Sequence, residues 1–407
     1  MTTDASADIP YYPMEREARC PFAPAPEIRR MTREDPIGKV RIWDGSTPWF
    51  VSRHADQRAL LNDPRLSIDE KRPGYPHMTR SRAASAPHHP ALITNTDPSE
   101  HTRLRRTVNA PFMVKRVEAL RPRIGQVLDG LIDEMLAGPR PADLVQAIGL
   151  PVPTLVITEI LGAPYEDREL FQTTSHTLIS HDSTPEQSAE AGRRLFGYLG
   201  DLLDTRIAEP GEDVVSEMAS RVTAGEMTRE EALSMAGAIL IAGHETSASM
   251  ISLGTLVLLR NPDQLDLLRE NGGDPKFVAN AVEELLRYLT IVHSGIRRIA
   301  NEDIPLHDKV IRADDGVIFD LAGANYDAAE FPDPEKLDLR RPARQHHAFG
   351  YGAHQCLGQS LARVELQVVY GTLYRRIPTL ALATSFEEVP FAMDGVAYGL
   401  TSLPVTW

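Results

Sequence analysis

Two cysteines in 407 residues, Cys20 and Cys356, cannot make a disulfide framework. Cys20, beside Pro21, reads as an incidental thiol. Long apolar runs are also missing. Met1 to Pro13 is polar and proline-containing, with nothing resembling a signal or a membrane anchor, so a cytoplasmic protein without a membrane partner is expected. Positive charge is in deficit: 43 Lys and Arg against 57 Asp and Glu leave a formal net charge of −14, which argues against nucleic acid as a partner. No Ser/Gly/Pro linker divides the chain, although its length exceeds what one apolar core usually spans. The expectation is therefore a flexible tail over residues 1–18, with loose character up to about Ala25, and a single unit over 19–407 built around a cofactor. The 42% hydrophobic and 25% charged fractions are those of an ordinary globular protein.

What is present centres on one loop. From Phe349 the chain reads Phe-Gly-Tyr-Gly-Ala-His-Gln-Cys-Leu-Gly to Gly358, followed by an apolar helical run from Leu361 to Tyr370. A thiolate at a helix entrance is favoured by the helix dipole and by the unpaired first-turn N–H groups, both of which lower its pKa. Gly350, Gly352 and Gly358 remove Cβ atoms where the backbone turns and where a flat partner could approach. A metal-thiolate site facing a planar group is the reading. A zinc site from His346, His347, His354 and Cys356 is the competing one, but it lacks the paired Cys-x-x-Cys or His-x-x-x-His spacing of structural zinc.

The longest helix is expected from Thr228, in capping-box spacing with Glu231, to Leu259, where Asn261-Pro262 stops it. About 30 residues at ~1.5 Å rise gives roughly 45 Å. In its middle stands Ala242-Gly243-His244-Glu245-Thr246-Ser247. A mid-helix glycine costs about 1 kcal/mol against alanine, and a threonine can bond back to the carbonyl one turn earlier. An acid beside an alcohol at such a place suits holding water and moving protons. A second helix begins at Asp97 and puts His101 and Arg105 on one face. A third starts at Asp274-Pro275 and carries Glu284 and Arg287 three apart. Between Val117 and Arg206 the pattern is helical, broken near Gly138-Pro139, near Gly162-Ala163-Pro164 and from His181 to Gln187. Val40–Trp43 and Trp49–Val51 read as strands around the turn Asp44-Gly45-Ser46, followed by a short helix from about Ala55 to Leu61. Ser67–Pro90 reads as a long loop, and Asp314-Asp315-Gly316 as a hairpin turn.

The ten residues from Phe349 match, position by position, the FGxGxHxCxG loop of the cytochrome P450 family, and the hexapeptide at Ala242 resembles that family's oxygen-activation motif. His101/Arg105 resembles its HxxxR, and Glu284/Arg287 its ExxR. Four motifs in the right order cover nearly the whole chain from about Arg19. The resemblance implies a mainly α fold with a minor β region, in which haem b lies between the long central helix and the cysteine loop. It implies Cys356 as the axial iron ligand, with Phe349 packed over it, Gly350 and Gly358 close by, and His354, His101, Arg105 and Arg298 on the propionates. Arg297 stands where relatives often carry proline and is the alternative to Arg298. Thr246 would hold dioxygen and a water, Glu245 would relay protons, and Ala242 and Gly243 would leave room. Glu284, Arg287 and Arg341 would form structural ion pairs. Tyr326 stands where relatives commonly carry arginine.

By the same resemblance, Ser67–Pro90 lies over the distal face, Thr174 to Ile179 belong to a lid, and Met393 to Tyr398 form a turn into the pocket. The candidate pocket residues are Ile239, Val292, Ser294, Ile296, Met393 and Val396. The basic residues Arg103, Arg106, Lys115, Arg116 and Arg363 form either a solvated face or a docking patch for an acidic ferredoxin. The activity implied is insertion of one atom of O2 into a mid-sized, largely apolar small molecule, with electrons from NAD(P)H through a ferredoxin. The rivals are a peroxygenase or nitric oxide reductase on the same fold, and a haem protein that only binds a ligand.

Overall fold

The structure is a computed structural model that describes residues 9–17, 20–179, 183–392 and 397–407. Chain packing separates two compact units. One comprises residues up to 102, 286–337 and 343–356; the other comprises 103–285, 338–342 and 357–407.

The first unit carries a five-stranded sheet in the order Ile37–Lys39, Trp49–Val51, Gly316–Phe319, Ile296–Ala300 and Leu66–Ser67. Trp49–Val51 and Gly316–Phe319 run parallel, and the other neighbours are antiparallel. Side chains alternate across it as a two-residue period requires. Val51, Val317 and Phe319 join one apolar cluster, while Phe50 and Ile318 join the cluster on the opposite face.

The first hairpin starts earlier than expected. The ladder is Ile37–Lys39 rather than Val40–Trp43, yet the chain still closes over the expected turn: Val40 N–H donates to Pro48 O and Ile42 N–H to Ser46 O, while Arg41 between them bonds outward, accepting from Tyr12 N–H and donating to Pro10 O. Residues 9–17, expected to be loose, are likewise fixed. Tyr12 is 1% exposed, and its hydroxyl hydrogen-bonds Asp320 at 3.1 Å and the His293 carbonyl at 3.0 Å. The Asp314-Asp315-Gly316 turn is also displaced. The tight hairpin lies at His307-Asp308, between Ile304–Leu306 and Lys309–Ile311, whereas Asp314, at φ +66°, leads into the strand Gly316–Phe319.

Ser67–Pro90 is not wholly irregular. It contains a helix Arg80–Ser85, capped by Thr79, and a 3-10 turn Ala86–His88. Both are too short to show a period in sequence. The buried Glu70 holds this stretch together, accepting from His89 Nδ1 at 2.8 Å and Asn95 Nδ2 at 3.1 Å.

The second unit is helical. Breaks fall at Gly138 and at Gly162, whose φ of +81° closes the helix Pro151–Leu161 in the left-handed conformation that glycine tolerates. After residues 180–182, which lie outside the described residues, Thr184 caps Pro185–Ala208 through a capping box with Gln187. Thr228 does the same with Glu231 for the central helix Arg229–Arg260, an uninterrupted 32 residues that Asn261 terminates. Of the turn expected from Met393 to Tyr398, residues 393–396 (including Met393 and Val396) lie outside the described residues; Phe391–Ala392 and Gly399–Leu400 pair across it.

Candidate active site

The cysteine loop is shaped by its own backbone. His347 N–H donates to Asn325 Oδ1 at 2.6 Å, Gly350 N–H to His347 O at 2.8 Å, and Cys356 N–H to Phe349 O at 3.0 Å. Gly350 and Gly352 adopt φ of +69° and +80°, a region costly for any residue with a side chain. At Gly352 a Cβ would also stand 2.7 Å from the Leu61 carbonyl oxygen. Gly358 differs: it caps the helix Gln359–Arg376 at φ −80°, and a Cβ there would meet nothing within 4 Å. The Cys356 side chain is exposed, and the Phe349 ring lies 5.8 Å from that of His346. Among the described residues no three His, Cys, Asp or Glu side chains cluster as metal ligands, so the four residues of the zinc alternative are not assembled into such a site.

In the same unit Arg298 lies among His354 and His101. Arg298 is 4% exposed, and among the described residues its guanidinium hydrogen-bonds only the Arg297 carbonyl, at 2.7 Å. Burial lowers its pKa to about 10. His354 packs against His101 with ring centres 4.1 Å apart and contacts the Ile93 carbonyl through Nδ1 at 3.1 Å. Burial, followed by the nearby Arg298 and His101, depresses His354 to about 4. Asp97, a carboxylate that acts on both Arg298 and His354, is committed to the Ser67 hydroxyl at 2.5 Å and the Ile68 N–H at 2.9 Å. A buried guanidinium with spare donors is a place where an anion lowers the free energy. Arg298 is the buried member of the arginine pair; Arg297 is half-buried. Arg105 follows His101 by four positions on the helix Pro98–Val108 and is half-buried.

On the central helix, Thr246 Oγ1 donates to Ala242 O at 2.7 Å. Glu245 is half-buried, and desolvation raises its carboxyl pKa. Ala242 is exposed. At Gly243 a Cβ would stand 2.9 Å from the Ile157 side chain, so the helix packs closely there. His244, buried beside it, meets Thr154 Oγ1 at 2.7 Å. Both residues fix the helix against Pro151–Leu161. Ile239 is buried, while Val292, Ser294 and Ile296 are half-buried on a stretch that Gly295 bends at φ +67°.

One residue escaped the sequence reading. Glu365 is 1% exposed in the helix Gln359–Arg376 and accepts from the Ser247 hydroxyl at 2.6 Å. Burial raises it to about 7, opposed only by that hydrogen bond. A single acid inside the apolar run Leu361–Tyr370 was the signal available.

Glu284 and Arg341 approach to 3.2 Å with both side chains largely buried, and Glu284 Oε1 also accepts the Asp338 N–H at 3.1 Å. Arg287, fully buried, donates to the carbonyls of Asn325 and Pro334, each at 2.9 Å. Its guanidinium lies 5.4 Å from the ring centre of Tyr326, whose hydroxyl donates to Tyr288 O at 2.9 Å. The expected docking patch is not uniform. Arg103 is paired with Glu231, and Arg363 grips Glu283 at 2.7 and 3.1 Å. Arg106, Lys115 and Arg116 are exposed.

Comparison with known proteins decides the family. Residues 201–378 match the cytochrome P450 family. The chain is 51% identical over 405 residues to cytochrome P450 CYP105Q4 of Mycobacterium marinum, covering 99% of this chain and 98% of that protein. The chain belongs to the cytochrome P450 family. It is equally similar, at 51% over 406 residues, to the P450 GfsF of Streptomyces halstedii, covering 99% and 98% of the two chains. The crystal structure of GfsF superposes with a TM-score of 0.93 at 50% identity, covering 98% and 100%. The mycinamicin VIII C21 methyl hydroxylase of Micromonospora griseorubida is 40% identical over 397 residues, 97% of this chain and 99% of that one. The fold is thus the P450 fold, the enzyme a P450 monooxygenase acting on a small molecule with O2, and the cofactor haem b. The residues present fit that cofactor: an exposed thiol on a loop held open by glycines, and a buried guanidinium, Arg298, suited to a propionate. No helix among the described residues is long and apolar enough to cross a membrane.

Proposed function

We propose that this P450 hydroxylates or epoxidises a mid-sized, largely apolar molecule, with electrons from NAD(P)H delivered through a ferredoxin in the cytoplasm. Relatives include an enzyme named for methyl hydroxylation of mycinamicin VIII, and the residues named for the pocket mix apolar and small polar side chains. In this reading Cys356 binds the iron, and Arg298, His354, His101 and Arg105 hold the propionates. Haem held by the Cys356 thiolate would supply oxygen binding and O–O cleavage. Thr246 orients dioxygen and a water through its hydroxyl, already anchored on the Ala242 carbonyl. Glu245, whose carboxyl burial biases toward the protonated form, carries protons inward from solvent. Glu284 and Arg341 stabilise the approach to the loop. Arg106, Lys115 and Arg116 receive the acidic electron donor.

The observation that carries this reading is the buried Arg298, a cation whose only hydrogen bond among the described residues is to a neighbouring carbonyl. The test is the absorption spectrum of the dithionite-reduced protein with carbon monoxide, for wild type, Cys356→Ser and Arg298→Ala. A strongly red-shifted Soret band that is lost in the serine variant, and weaker haem retention in the alanine variant, are expected. An unshifted band in the wild type would overturn the ligand assignment.

A further inference from the structure

Arg297 is half-buried on the strand Ile296–Ala300, yet no hydrogen bond or ion pair among the described residues uses its guanidinium. The strand's register decides which way it points. Arg298 stands opposite Val317, and Arg297 opposite Ile318. Val317 belongs to one apolar cluster and Ile318 to the cluster on the other face. Directly opposed residues of an antiparallel pair share a face, so the two arginines leave the sheet on opposite sides. Arg298 takes the side assigned above to a propionate. Arg297 takes the side of Tyr12, Trp43 and Met78.

The surroundings of Arg297 are closely built and one-sided in charge. Gly74, at φ +89°, lets its segment close onto Ile299, the next residue on the face of Arg297, and onto the Asp314 carbonyl. A Cβ at Gly74 would stand 2.6 Å from that oxygen. The Tyr75 hydroxyl thereby comes to 3.5 Å from the Arg297 carbonyl, the outer limit of a hydrogen bond, so its donor is available to a better acceptor. The Tyr75 ring packs on His77 with centres 5.1 Å apart, and Trp43 Nε1 donates to the His77 carbonyl at 2.9 Å. The carboxylates of the neighbouring segments are committed elsewhere. Glu70 holds His89 and Asn95, Asp314 holds Arg72, and Asp315 accepts from Trp49 and the Arg312 N–H. Asp320 accepts from Tyr12 and the Gly323 N–H.

A half-buried cation with an idle hydroxyl donor beside it is a place for an anion. The planar fork of arginine matches a carboxylate, which accepts two parallel N–H bonds. The rest of such a molecule has to be apolar, because Trp43, Met78 and the Tyr75 ring are the surfaces on this side. We propose that Arg297 and Tyr75 form a subsite for the carboxylate of the substrate, so that the molecule this enzyme oxidises is an apolar carboxylic acid held by its charged end. Ile296, one of the candidate pocket residues, directly precedes Arg297, so the anchored end adjoins the pocket. The proposal rests on the substrate-oxidising reading given above and narrows its substrate class.

The experiment is a binding titration of the holoenzyme with matched pairs: dodecanoic acid and its methyl ester, and dehydroabietic acid and its methyl ester. Wild type, Arg297→Gln, Arg297→Lys and Tyr75→Phe are compared. Binding is read from the spin-state shift of the Soret band and, separately, from the rise in the thermal unfolding midpoint. Wild type should bind at least one acid on the order of 10-fold more tightly than its ester, the scale of a hydrogen bond to a charged group. Arg297→Gln should bind acid and ester alike, Arg297→Lys should keep part of the preference, and Tyr75→Phe should weaken the acid alone. Acids that bind no better than their esters, or a preference that survives in Arg297→Gln, would overturn the proposal. So would acetate or chloride stabilising the wild type as well as the long acids do, since the site is then a general anion patch. Absence of the thiolate-type Soret band from the wild type would instead remove the reading on which the proposal rests, while the unfolding midpoints still report on Arg297. If the glutamine variant does not fold, Arg297→Lys and the wild-type acid and ester pairs decide the question.

Discussion

Thr246 is bonded to Ala242: its hydroxyl donates to the carbonyl one turn earlier, at 2.7 Å, in a helix that continues unbroken for 32 residues. The hydroxyl is thereby aimed and partly satisfied while its oxygen keeps lone pairs free for a further donor. The flanking residues face other tasks. Gly243 and His244 lock the helix to Pro151–Leu161, and Ser247 locks it to Gln359–Arg376. Rigid neighbours on both sides leave Glu245 and Thr246 as the polar pair available for chemistry.

Replacing Thr246 by alanine should therefore leave the fold intact and damage coupling. Product formed per NAD(P)H consumed should fall on the order of 10²-fold, the scale of a lost proton-handling group, with peroxide released instead. Thr246→Ser keeps the hydroxyl and should retain most of the coupling. Product and peroxide measured against cofactor oxidation decide this. Unchanged coupling in the alanine variant would remove Thr246 from the mechanism.

Gly254 should tolerate no side chain. A Cβ there would lie 1.9 Å from the Tyr370 hydroxyl, which is itself bonded to the Met250 carbonyl at 2.5 Å. Helix propensity favours alanine by about 1 kcal/mol, but overpacking costs ~1–3 kcal/mol or more. Gly254→Ala should be destabilised overall, and adding Tyr370→Phe should recover part of the loss. Urea unfolding of the two single variants and the double variant reads the coupling.

Glu365 also makes a prediction about stability. Its folded pKa is raised from 4.5 to about 7, so between those values the native state holds a proton that the unfolded chain has lost. Stability then declines as pH rises through this window, by about 3 kcal/mol for one such group. Glu365→Gln should abolish that part of the slope and gain on the wild type toward alkaline pH. Denaturant midpoints at about pH 5 and about pH 8 measure it.

His347 acts with the opposite sign. Burial, then the neighbouring His54, His346 and Arg58, depress it from 6.5 to about 3, and its ring stacks on His54 at 4.0 Å. The unfolded chain takes up a proton that the native state refuses, so stability falls as pH drops below about 6.5. The loss is on the order of 4 kcal/mol by about pH 3. His347→Gln should be less stable at neutral pH yet lose less on acidification, read by the same denaturant midpoints.

How much of this was legible before the structure depends on whether the signal is local. The Thr228 and Glu231 cap, the Asn261 stop and the Gly162 break are written in neighbouring residues, and each lies where the pattern puts it. The cysteine loop is similarly local, since Gly350 and Gly352 need left-handed backbone whatever surrounds them. What the sequence hides is non-local pairing. Arg41, on the outer edge of its hairpin, is paired with Pro10 and Tyr12. Gly243 packs against Ile157, and Glu365 finds Ser247 across 118 positions. No window of adjacent residues contains either partner.

Docking of the electron donor follows the same division. Arg103 and Arg363 looked equivalent to Arg106, Lys115 and Arg116 in sequence, but the first two are already paired with Glu231 and Glu283. Arg106→Glu, Lys115→Glu and Arg116→Glu should each lower the second-order rate of ferredoxin-driven reduction, most strongly at low ionic strength, because exposed charges steer encounter more than they hold the complex. A several-fold effect that fades in high salt is expected, with dithionite reduction untouched. Arg363→Glu should behave differently. It places like charges together at a largely buried position and leaves Glu283 without its partner, so the loss appears in thermal stability and haem retention as well as in rate. Stopped-flow reduction across a salt series, alongside unfolding curves for the same variants, separates the two kinds of arginine. If Arg106→Glu, Lys115→Glu and Arg116→Glu leave reduction unchanged at low salt, the donor docks on another face.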